Sequence, residues 1–212
     1  SLVGSEMCIR DRSITDDQLL ALLNQIKQTT KEDTVIVAGS VPKSIPSDAY
    51  AQIAEITQST GAKLVVDAEK DLVNTVLKYQ PLFIKPNKDE LEEMFDMTVE
   101  SDQDVVKYGR EILKEGAQSV IISLGGDGAI YIDKARSIKA QNPKGQVVNT
   151  VGSGDSTVAG MVAGLESGLS LEDAFQQAVA SGTATAFTED LATIEDIEKI
   201  KSQVTITVLD GE

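Results

Sequence analysis

The 212-residue chain contains no histidine and no tryptophan, and it has a single cysteine, Cys8. The missing histidine excludes Ser-His-Asp catalysis, histidine-ligated zinc and imidazole general bases. One cysteine forms neither an internal disulfide nor a thiolate cluster, so we expect a reducing, cytoplasmic environment. Any catalysis must therefore use carboxylates, lysines, hydroxyl groups and the backbone.

Basic residues are also scarce, with 19 lysines and arginines against 34 acidic residues, which gives a formal net charge of −15. No basic block occurs in the sequence, and binding to a phosphate polymer or an anionic membrane requires clustered lysine and arginine. The longest apolar run near a predicted helix, residues 158–165, is too short to cross a bilayer. We therefore expect no nucleic-acid and no membrane partner. A small anionic ligand would need local lysines, backbone N–H groups or a metal ion.

The remaining composition is ordinary for a globular protein, with 41% hydrophobic and 25% charged residues. A chain of this length favours one large domain. Residues 1–12 fit none of the periodic patterns that follow and lack the apolar core of a signal peptide. We interpret them as an artefact or a disordered extension.

From residue 13 onward, short apolar runs alternate with segments of helical periodicity. The runs predict strands at 34–38, 63–67, 82–85, 119–124, 129–133 and 204–208, with a further β segment at 136–148. This alternation indicates an α/β fold, namely a three-layer, doubly wound and mostly parallel sheet with helices on both faces. Such sheets bind ligands at the carboxyl ends of their strands, which here are followed by the loops 39–46, 67–71, 85–90, 124–128 and 149–155.

The most informative segment is 149–160, where small residues precede Asp155 at the start of a predicted helix. Backbone N–H groups at a helix start can face a phosphoryl oxygen when no side chain obstructs the approach. The positive end of the helix favours an ionised carboxylate, which can accept the proton of an attacking hydroxyl. An ordinary capped helix, with Ser153 or Asp155 as the N-cap, explains the same residues.

Two well-known phosphate-binding motifs do not match this segment. It lacks the lysine of a Walker A loop, and Thr157 occupies the third glycine position of the dinucleotide fingerprint. A dinucleotide-dependent oxidoreductase shares the strand–helix alternation, so it stays an alternative that tight NADH binding would favour.

Position by position, residues 149–160 resemble the C-terminal signature of the ribokinase-like (PfkB) sugar kinases. Further segments are similar to the branch of that family that phosphorylates fructose 1-phosphate or tagatose 6-phosphate, and they occur in the family's order: 39–42, 85–90, 123–128 and 186–188. The resemblance extends from about residue 14 to the end of the chain. It implies the ribokinase-like fold and ATP-dependent phosphorylation, with fructose 1-phosphate as the first candidate substrate.

The resemblance also assigns roles to residues. It implies that Asp155 is the catalytic base, which also contacts the sugar, and that Gly152, Ser153 and Gly154 form an anion hole. It places the nucleotide on Gly154 and on a turn made of Ser123, Leu124, Gly125, Gly126, Asp127 and Gly128. A plain β-hairpin explains that turn equally well.

Two further assignments follow from the resemblance. Asn87 and Glu90 match an element associated with Mg²⁺ and phosphate, with an indirect role through water as the favoured form. Asparagine followed three residues later by glutamate is also a helix capping box. Lys43 is the candidate contact to the sugar phosphate, although a solvent-exposed loop lysine is the commoner case.

By this resemblance, residues 13–212 form the C-terminal nucleotide-binding portion of a kinase domain. The family's first strands and β-lid have no counterpart here, and in a full-length protein that lid often forms a homodimer. We therefore expect an exposed strand edge and apolar flank. An ATP-binding fragment without transferase activity is a further alternative.

Overall fold

The structure, a computed structural model, describes residues 13–39 and 44–211. The chain divides into two compact units, Ser1–Ile84 with Glu115–Gln118 and Lys85–Lys114 with Ser119–Glu212. The segment 1–12 and the predicted sugar-phosphate contact Lys43 lie outside the described residues, so their assignments stay predictions.

The described part of the first unit contains a parallel sheet and its connecting helices. In chain order these are α1 (Asp16–Ile26), β1 (Thr34–Ala38), α2 (Ala49–Thr60), β2 (Lys63–Asp67), α3 (Lys70–Val76), a 3₁₀ turn (Leu77–Tyr79) and β3 (Phe83–Ile84). β1 pairs in parallel with β2, and β2 pairs in parallel with β3. A helix follows each of the first two strands, because a parallel pair needs a long crossover connection.

Local sequence signals set several ends of these elements. Thr15 begins α1 with a capping box, in which its hydroxyl accepts from the Gln18 N–H and the Gln18 side chain accepts from the Thr15 N–H. Gly61 ends α2 in the left-handed conformation, with φ +79°. These signals explain why the strand and helix boundaries lie within a few residues of those predicted.

Three large apolar side chains in the described part of the first unit are exposed. Ile36 on β1 is 44% exposed, and on α1 Leu20 and Leu22 are 54% and 46% exposed. Buried side chains on the same elements, such as Leu19 and Leu23, show that the helix has a separate core-facing side. Apolar side chains of both elements are therefore exposed, while the strand edge and apolar flank expected from the sequence stay a prediction.

The second unit carries the remaining elements. They are α4 (Lys88–Phe95), α5 (Asp102–Glu115), β4 (Ser119–Ser123), a 3₁₀ turn (Gly125–Asp127), β5 (Ala129–Asp133), β6 (Ser137–Gln141), α6 (Ser153–Glu166), α7 (Leu171–Ala186), α8 (Ile194–Lys201) and β7 (Thr205–Asp210). The strands lie in chain order from β4 to β7, and each neighbouring pair is antiparallel. The chain is thus a mixed α/β fold, as expected, with parallel pairing in the first unit and antiparallel pairing in the second.

Branched apolar side chains form the core of the second unit. β4 and β5 contribute Ile121, Ile122, Ile130 and Ile132, each without measurable exposure. Phe175 of α7 is also fully buried, and its ring lies 5.9 Å from that of Tyr131. Strands that are buried on both faces need apolar side chains at successive positions, which is why β4 and β5 form continuous apolar runs in the sequence.

The helices α6 and α7 approach each other closely because glycines line their interface. A Cβ on Gly160 would lie 2.6 Å from the Ser181 hydroxyl and 2.9 Å from the Ala178 Cα. A Cβ on Gly164 would lie 2.9 Å from the Ala174 backbone. Any larger residue at these positions would push the two helices apart.

The predicted β segment 136–148 is shorter in the structure. β6 ends at Gln141, and residues 142–150 form no regular element. Pro143 has no N–H to donate to a neighbouring strand, which explains why the pairing stops there. In the described ranges, no helix is long and apolar enough to cross a membrane.

The glycine interface gives a first prediction. Gly160→Ala should lower the free energy of unfolding by about 1–3 kcal/mol, because the added methyl group clashes with the α7 backbone. Gly126→Ala is the matched control, since a Cβ there has nothing within 4 Å, and it should change stability by less than about 0.5 kcal/mol. Urea denaturation of both variants measures the difference, and equal stabilities would contradict the packing argument.

A second prediction concerns alkaline pH. Burial raises the pKa of Tyr131 to about 12 from the ordinary value of 10.0. Since the folded state holds this proton more tightly than the unfolded state, Tyr131 stabilises the fold below pH 10 and loses that contribution as the pH rises toward 12. Between pH 10 and 12 the unfolding free energy should therefore fall less in Tyr131→Phe than in the unsubstituted chain, and the two decreases should differ by about 1–2 kcal/mol. Urea denaturation of both proteins at several pH values measures the difference, and an equal pH dependence of the two unfolding free energies would contradict the prediction.

Candidate active site

The helix α6 begins at a glycine with an unusual backbone. Gly152 is its N-cap, adopts φ +81°, and supplies no side-chain cap. A Cβ at this position would also lie 2.9 Å from Leu191 Cδ2. The left-handed conformation favours glycine here, whereas Leu191 Cδ2 is the end of a flexible, exposed side chain that can move aside.

The first turn of α6 leaves backbone N–H groups available. The N–H of Ser153 donates to Thr150 O at 3.2 Å, and that of Ser156 donates to Gly152 O at 2.8 Å. Between them, the N–H groups of Gly154 and Asp155 have no hydrogen-bond acceptor among the residues that the structure describes. Unpaired N–H groups at the positive end of a helix are a binding site for an anion such as a phosphoryl group.

The Asp155 side chain is free to react. It is exposed in the first turn of α6, and within the described ranges its carboxylate makes no hydrogen bond or ion pair. The alternative in which Ser153 or Asp155 caps the helix is wrong, because Gly152 occupies the cap and no side chain bonds there. A carboxylate that is not used for capping can accept a proton from a bound hydroxyl.

The Ser153 hydroxyl is buried without a hydrogen-bond partner in the part of the chain that the structure covers. The carbonyl oxygen of the same residue accepts from Thr157 Oγ1 at 2.9 Å. A Cβ on Gly182 of α7 would clash with that threonine hydroxyl. The start of α6 is therefore packed tightly against α7.

The chain that leads into α6 is attached to the end of α7. The N–H groups of Val148 and Asn149 donate to Ala186 O at 2.8 and 3.2 Å. Asn149 Oδ1 accepts from the Val151 N–H at 3.0 Å, and its Nδ2 donates to Glu189 O at 3.2 Å. These bonds hold the chain just before Gly152 in place, and none of them uses the N–H groups of residues 152–154.

The glycine-rich turn after β4 is a β-hairpin, as one of the two sequence interpretations proposed. Ser123 pairs with Ala129, and the Leu124 N–H donates to Gly128 O at 2.8 Å. Gly128 adopts φ +91°, and a Cβ there would clash with the carbonyl oxygen of Ala140. The 3₁₀ turn itself is exposed and has open space around two of its residues, Gly125 and Gly126. A ligand could therefore approach its backbone directly.

Asn87 and Glu90 form the capping box of α4. Asn87 Oδ1 accepts from the Glu90 N–H at 2.8 Å, and Glu90 Oε2 accepts from the Asn87 N–H at 2.7 Å. Asn87 also forms an isolated parallel bridge with Ser123, and the Ser123 N–H donates to Pro86 O at 3.1 Å. The capping box therefore adjoins the first residue of the glycine-rich turn.

The donor set near Glu90 suits a weakly held Mg²⁺ only. No group of three or more acidic, cysteine or histidine side chains that could hold a metal ion occurs among the described residues. Glu90 keeps one carboxylate oxygen, Oε1, outside the capping box. Because Mg²⁺ retains much of its hydration and is often carried by substrate phosphates, this oxygen fits contact through water.

Residues that the sequence analysis did not single out connect these parts. Asn142 bonds both to Gly125 O and to Thr183 Oγ1 of α7. Thr185, only 2% exposed, donates to Ser156 Oγ at 3.0 Å. The turn and the start of α6 are thus attached to the same end of α7. Short-range motifs carry no signal for these contacts, because the partners lie 17 to 41 residues away.

A family model described as pfkB family carbohydrate kinase matches residues 7–198. The chain is 40% identical over 197 residues to 1-phosphofructokinase of Bacillus subtilis, which covers 93% of this chain and 65% of that protein. It is 36% identical over 197 residues to D-tagatose-1-phosphate kinase of Bacillus licheniformis, with 92% and 65% covered. The chain therefore spans a little under two thirds of the length of these relatives.

Solved structures agree with the sequence comparisons. A protein of Staphylococcus aureus, provisionally named phosphofructokinase, is 76% identical with a TM-score of 0.92, over 95% of this chain and 66% of that one. Phosphofructokinase-2 of Escherichia coli, solved with substrates and products, is 27% identical with a TM-score of 0.85, over 90% of this chain and 63% of that one. The family model covers most of the chain, and the relatives agree with it, so the chain belongs to the pfkB family of carbohydrate kinases.

Proposed function

We propose that this chain carries the nucleotide site and the catalytic base of an ATP-dependent sugar-phosphate kinase. The observation that carries the proposal is the start of α6, where Asp155 is unpaired and the N–H groups of Gly154 and Asp155 have no acceptor within the described ranges. Phosphoryl transfer needs little covalent help from a protein, and such a base beside an anion site supplies much of what it needs.

In the proposed reaction, the sugar hydroxyl oxygen forms a bond to the γ-phosphorus of ATP while the bond from that phosphorus to the ADP oxygen breaks. Asp155 accepts the hydroxyl proton. Gly152, Ser153 and Gly154 are the anion hole that the sequence resemblance implies, but the Ser153 N–H already donates to Thr150 O. The N–H groups of Gly154 and Asp155, which have no acceptor within the described ranges, are therefore the groups proposed to stabilise the negative charge on the transferring group. The products are a sugar bisphosphate and ADP.

The nucleotide is proposed to lie along the turn from Ser123 to Gly128. The exposed backbone of this turn supports that assignment, since Gly125 and Gly126 place no side chain in the way. Mg²⁺ would neutralise charge on the nucleotide phosphates, with Glu90 holding it through water. The proposal does not require a protein cage for the metal.

Fructose 1-phosphate is the proposed acceptor, giving fructose 1,6-bisphosphate. The similarity to 1-phosphofructokinase of Bacillus subtilis supports it. A tagatose phosphate is the second candidate, and the similarity to D-tagatose-1-phosphate kinase favours testing the 1-phosphate beside the 6-phosphate. Lys43 stays our sequence-based candidate for the contact to the sugar phosphate.

Two measurements on the 212-residue chain test the proposal against an ATP-binding fragment without transferase activity. Isothermal titration with ATP and Mg²⁺ measures binding, and a coupled assay measures ADP release with fructose 1-phosphate and with both tagatose phosphates. Release that depends on one sugar phosphate supports the kinase and identifies its acceptor. Binding without sugar-dependent release favours the fragment, and absence of ATP binding contradicts both.

The role of Asp155 gives a third prediction. Asp155→Asn should lower turnover by about 10²–10⁴-fold, since the amide cannot accept the hydroxyl proton. Stability should change by less than about 1 kcal/mol, because the exposed side chain loses only its interaction with the helix dipole. Asp173→Asn is the matched control, because it removes the same charge from the first turn of α7. Steady-state assays that find activity retained in Asp155→Asn would exclude this residue as the base.

The capping box gives a fourth prediction, which separates its structural role from a metal role. Asn87→Ala should cost about 1 kcal/mol of stability through loss of the N-cap, while Glu90→Gln keeps an acceptor for the Asn87 N–H and should cost less. If Glu90 also holds Mg²⁺ through water, Glu90→Gln should raise the Mg²⁺ concentration needed for ATP binding about 10-fold or more. Asp89→Asn, an exposed neighbour in the same turn, is the control. An unchanged Mg²⁺ titration in Glu90→Gln would leave Glu90 with a capping role only.

A further inference from the structure

Asn142, just after the end of β6, makes two side-chain hydrogen bonds to different parts of the second unit. Its Nδ2 donates to Gly125 O at 3.0 Å, and its Oδ1 accepts from Thr183 Oγ1 at 2.8 Å. The chemistry of the partners fixes the orientation of the amide, because a backbone carbonyl oxygen only accepts and must therefore face the NH₂ group. The bond to Gly125 O is exposed to solvent, and the bond to Thr183 is partly buried.

The two partners belong to the two parts of the proposed site. Gly125 is the first residue of the 3₁₀ turn proposed to bind the nucleotide. Thr183 lies on α7 and is 6% exposed. Its neighbour Gly182 packs against the start of α6, and Thr185, two residues further on, bonds to Ser156 of α6. One amide therefore connects the nucleotide turn to the helix that supports the anion site.

Without the bond from Asn142, the backbone of the 124–128 turn would have few constraints. Gly125 adopts φ +58°, and Gly125 and Gly126 have no neighbour within 4 Å of a notional Cβ. Two adjacent, exposed glycines have high conformational freedom, and the turn's own Gly128 N–H to Gly125 O bond is long at 3.2 Å. A side-chain donor on Gly125 O restricts the carbonyl direction that this freedom would otherwise leave open.

We propose that Asn142 is a positioning residue for the nucleotide: through Gly125 O it holds the 124–128 turn in one conformation, and through Thr183 it aligns that turn with α7. The inference rests on the proposed function, because it assumes that the turn contacts ATP. Asn142 itself is not assigned a contact to the substrate. It acts before binding, by reducing the ordering that the turn must undergo when the nucleotide arrives.

The role of Thr183 follows from its hydroxyl geometry. Its Oγ1 lies 2.8 Å both from Asn142 Oδ1 and from Val179 O, and the single hydroxyl hydrogen is shared between them. Removing the hydroxyl leaves the Asn142 amide able to bond Gly125 but no longer fixed by a second partner. We therefore expect Thr183→Val to have a smaller effect of the same kind as Asn142→Ala.

The fifth prediction uses calorimetric titration of ATP with Mg²⁺ into the 212-residue chain. Asn142→Ala should raise the Kd for ATP by about three- to tenfold, the effect of losing one or two net hydrogen bonds. Asn142→Asp should raise it further, since it removes the donor to Gly125 O and adds a negative charge beside the turn. Thr183→Val should raise the Kd less, and the double variant Asn142→Ala with Thr183→Val should be no worse than Asn142→Ala alone, because the two residues act through one connection.

Amide hydrogen exchange without ligand separates positioning from general destabilisation. In Asn142→Ala, exchange should accelerate by about three- to tenfold at the Leu124 and Gly128 N–H groups, which close the turn, and not at the amides of β4 and β5. Ser181→Ala is the matched control, because its hydroxyl bonds only to Gln177 O in its own helix among the described residues. It should alter neither ATP affinity nor exchange in the turn.

The outcomes distinguish this inference from the proposed function. If the unsubstituted chain binds ATP and Asn142→Ala binds it equally well, the positioning role is overturned and the proposed function stands. A raised Kd for ATP in Asn142→Ala together with uniformly faster amide exchange throughout the unit would also overturn it, since that pattern indicates lost stability alone. If the unsubstituted chain does not bind ATP, the proposed function fails, and the nucleotide role of Asn142 fails with it.

Discussion

The close approach of α6 and α7 is the constraint on which the candidate site depends. Glycines on both helices make it possible, since a Cβ on Gly160, Gly164 or Gly182 would meet the opposite helix at or below ordinary contact distance. The start of α6, with its unpaired N–H groups, is therefore fixed in position by packing along the whole helix pair. Rigid packing of this kind suits phosphoryl transfer, where the protein's main contribution is to hold charges and dipoles in place.

The same interface carries hydroxyl groups, and three of them have hydrogen-bond acceptors within the helix pair. Thr157 donates to Ser153 O, Ser181 to Gln177 O, and Thr185 to Ser156 Oγ. The helix begins at glycine and forgoes the stabilisation that a serine or aspartate cap would add, which is about 1 kcal/mol for a typical helix. What the fold gains is a first turn whose N–H groups and carboxylate are not consumed by capping. The arrangement is one of slightly lower local stability with a free reactive face.

Much of the fold follows from the sequence, because buried strands are short apolar runs whose ends are marked by glycine or polar residues. The strands 34–38, 63–67 and 129–133 were predicted with the bounds that the structure shows. The segment 136–148 was predicted too long, because the prediction continued the β segment past Pro143, which cannot donate to a neighbouring strand and in front of which the pairing ends. The cap at Gly152 was not predicted either, because Ser153 and Asp155 are the usual N-cap residue types and a positive φ at the preceding glycine leaves no mark in the sequence. The hydrogen bonds of Asn142 and Thr185 have partners 17 to 41 residues away, which local motifs cannot reveal.

The Ser153 hydroxyl, buried without a partner among the described residues, has a consequence for ligand selection. Its dehydration has already occurred in the folded protein, at a cost of about 1–3 kcal/mol for a typical polar group. A small relaxation that brings a ligand oxygen to this hydroxyl would recover that cost, whereas an apolar group placed there would recover nothing. Under the proposed function, the start of α6 would therefore favour an incoming oxygen over an apolar atom of the same size.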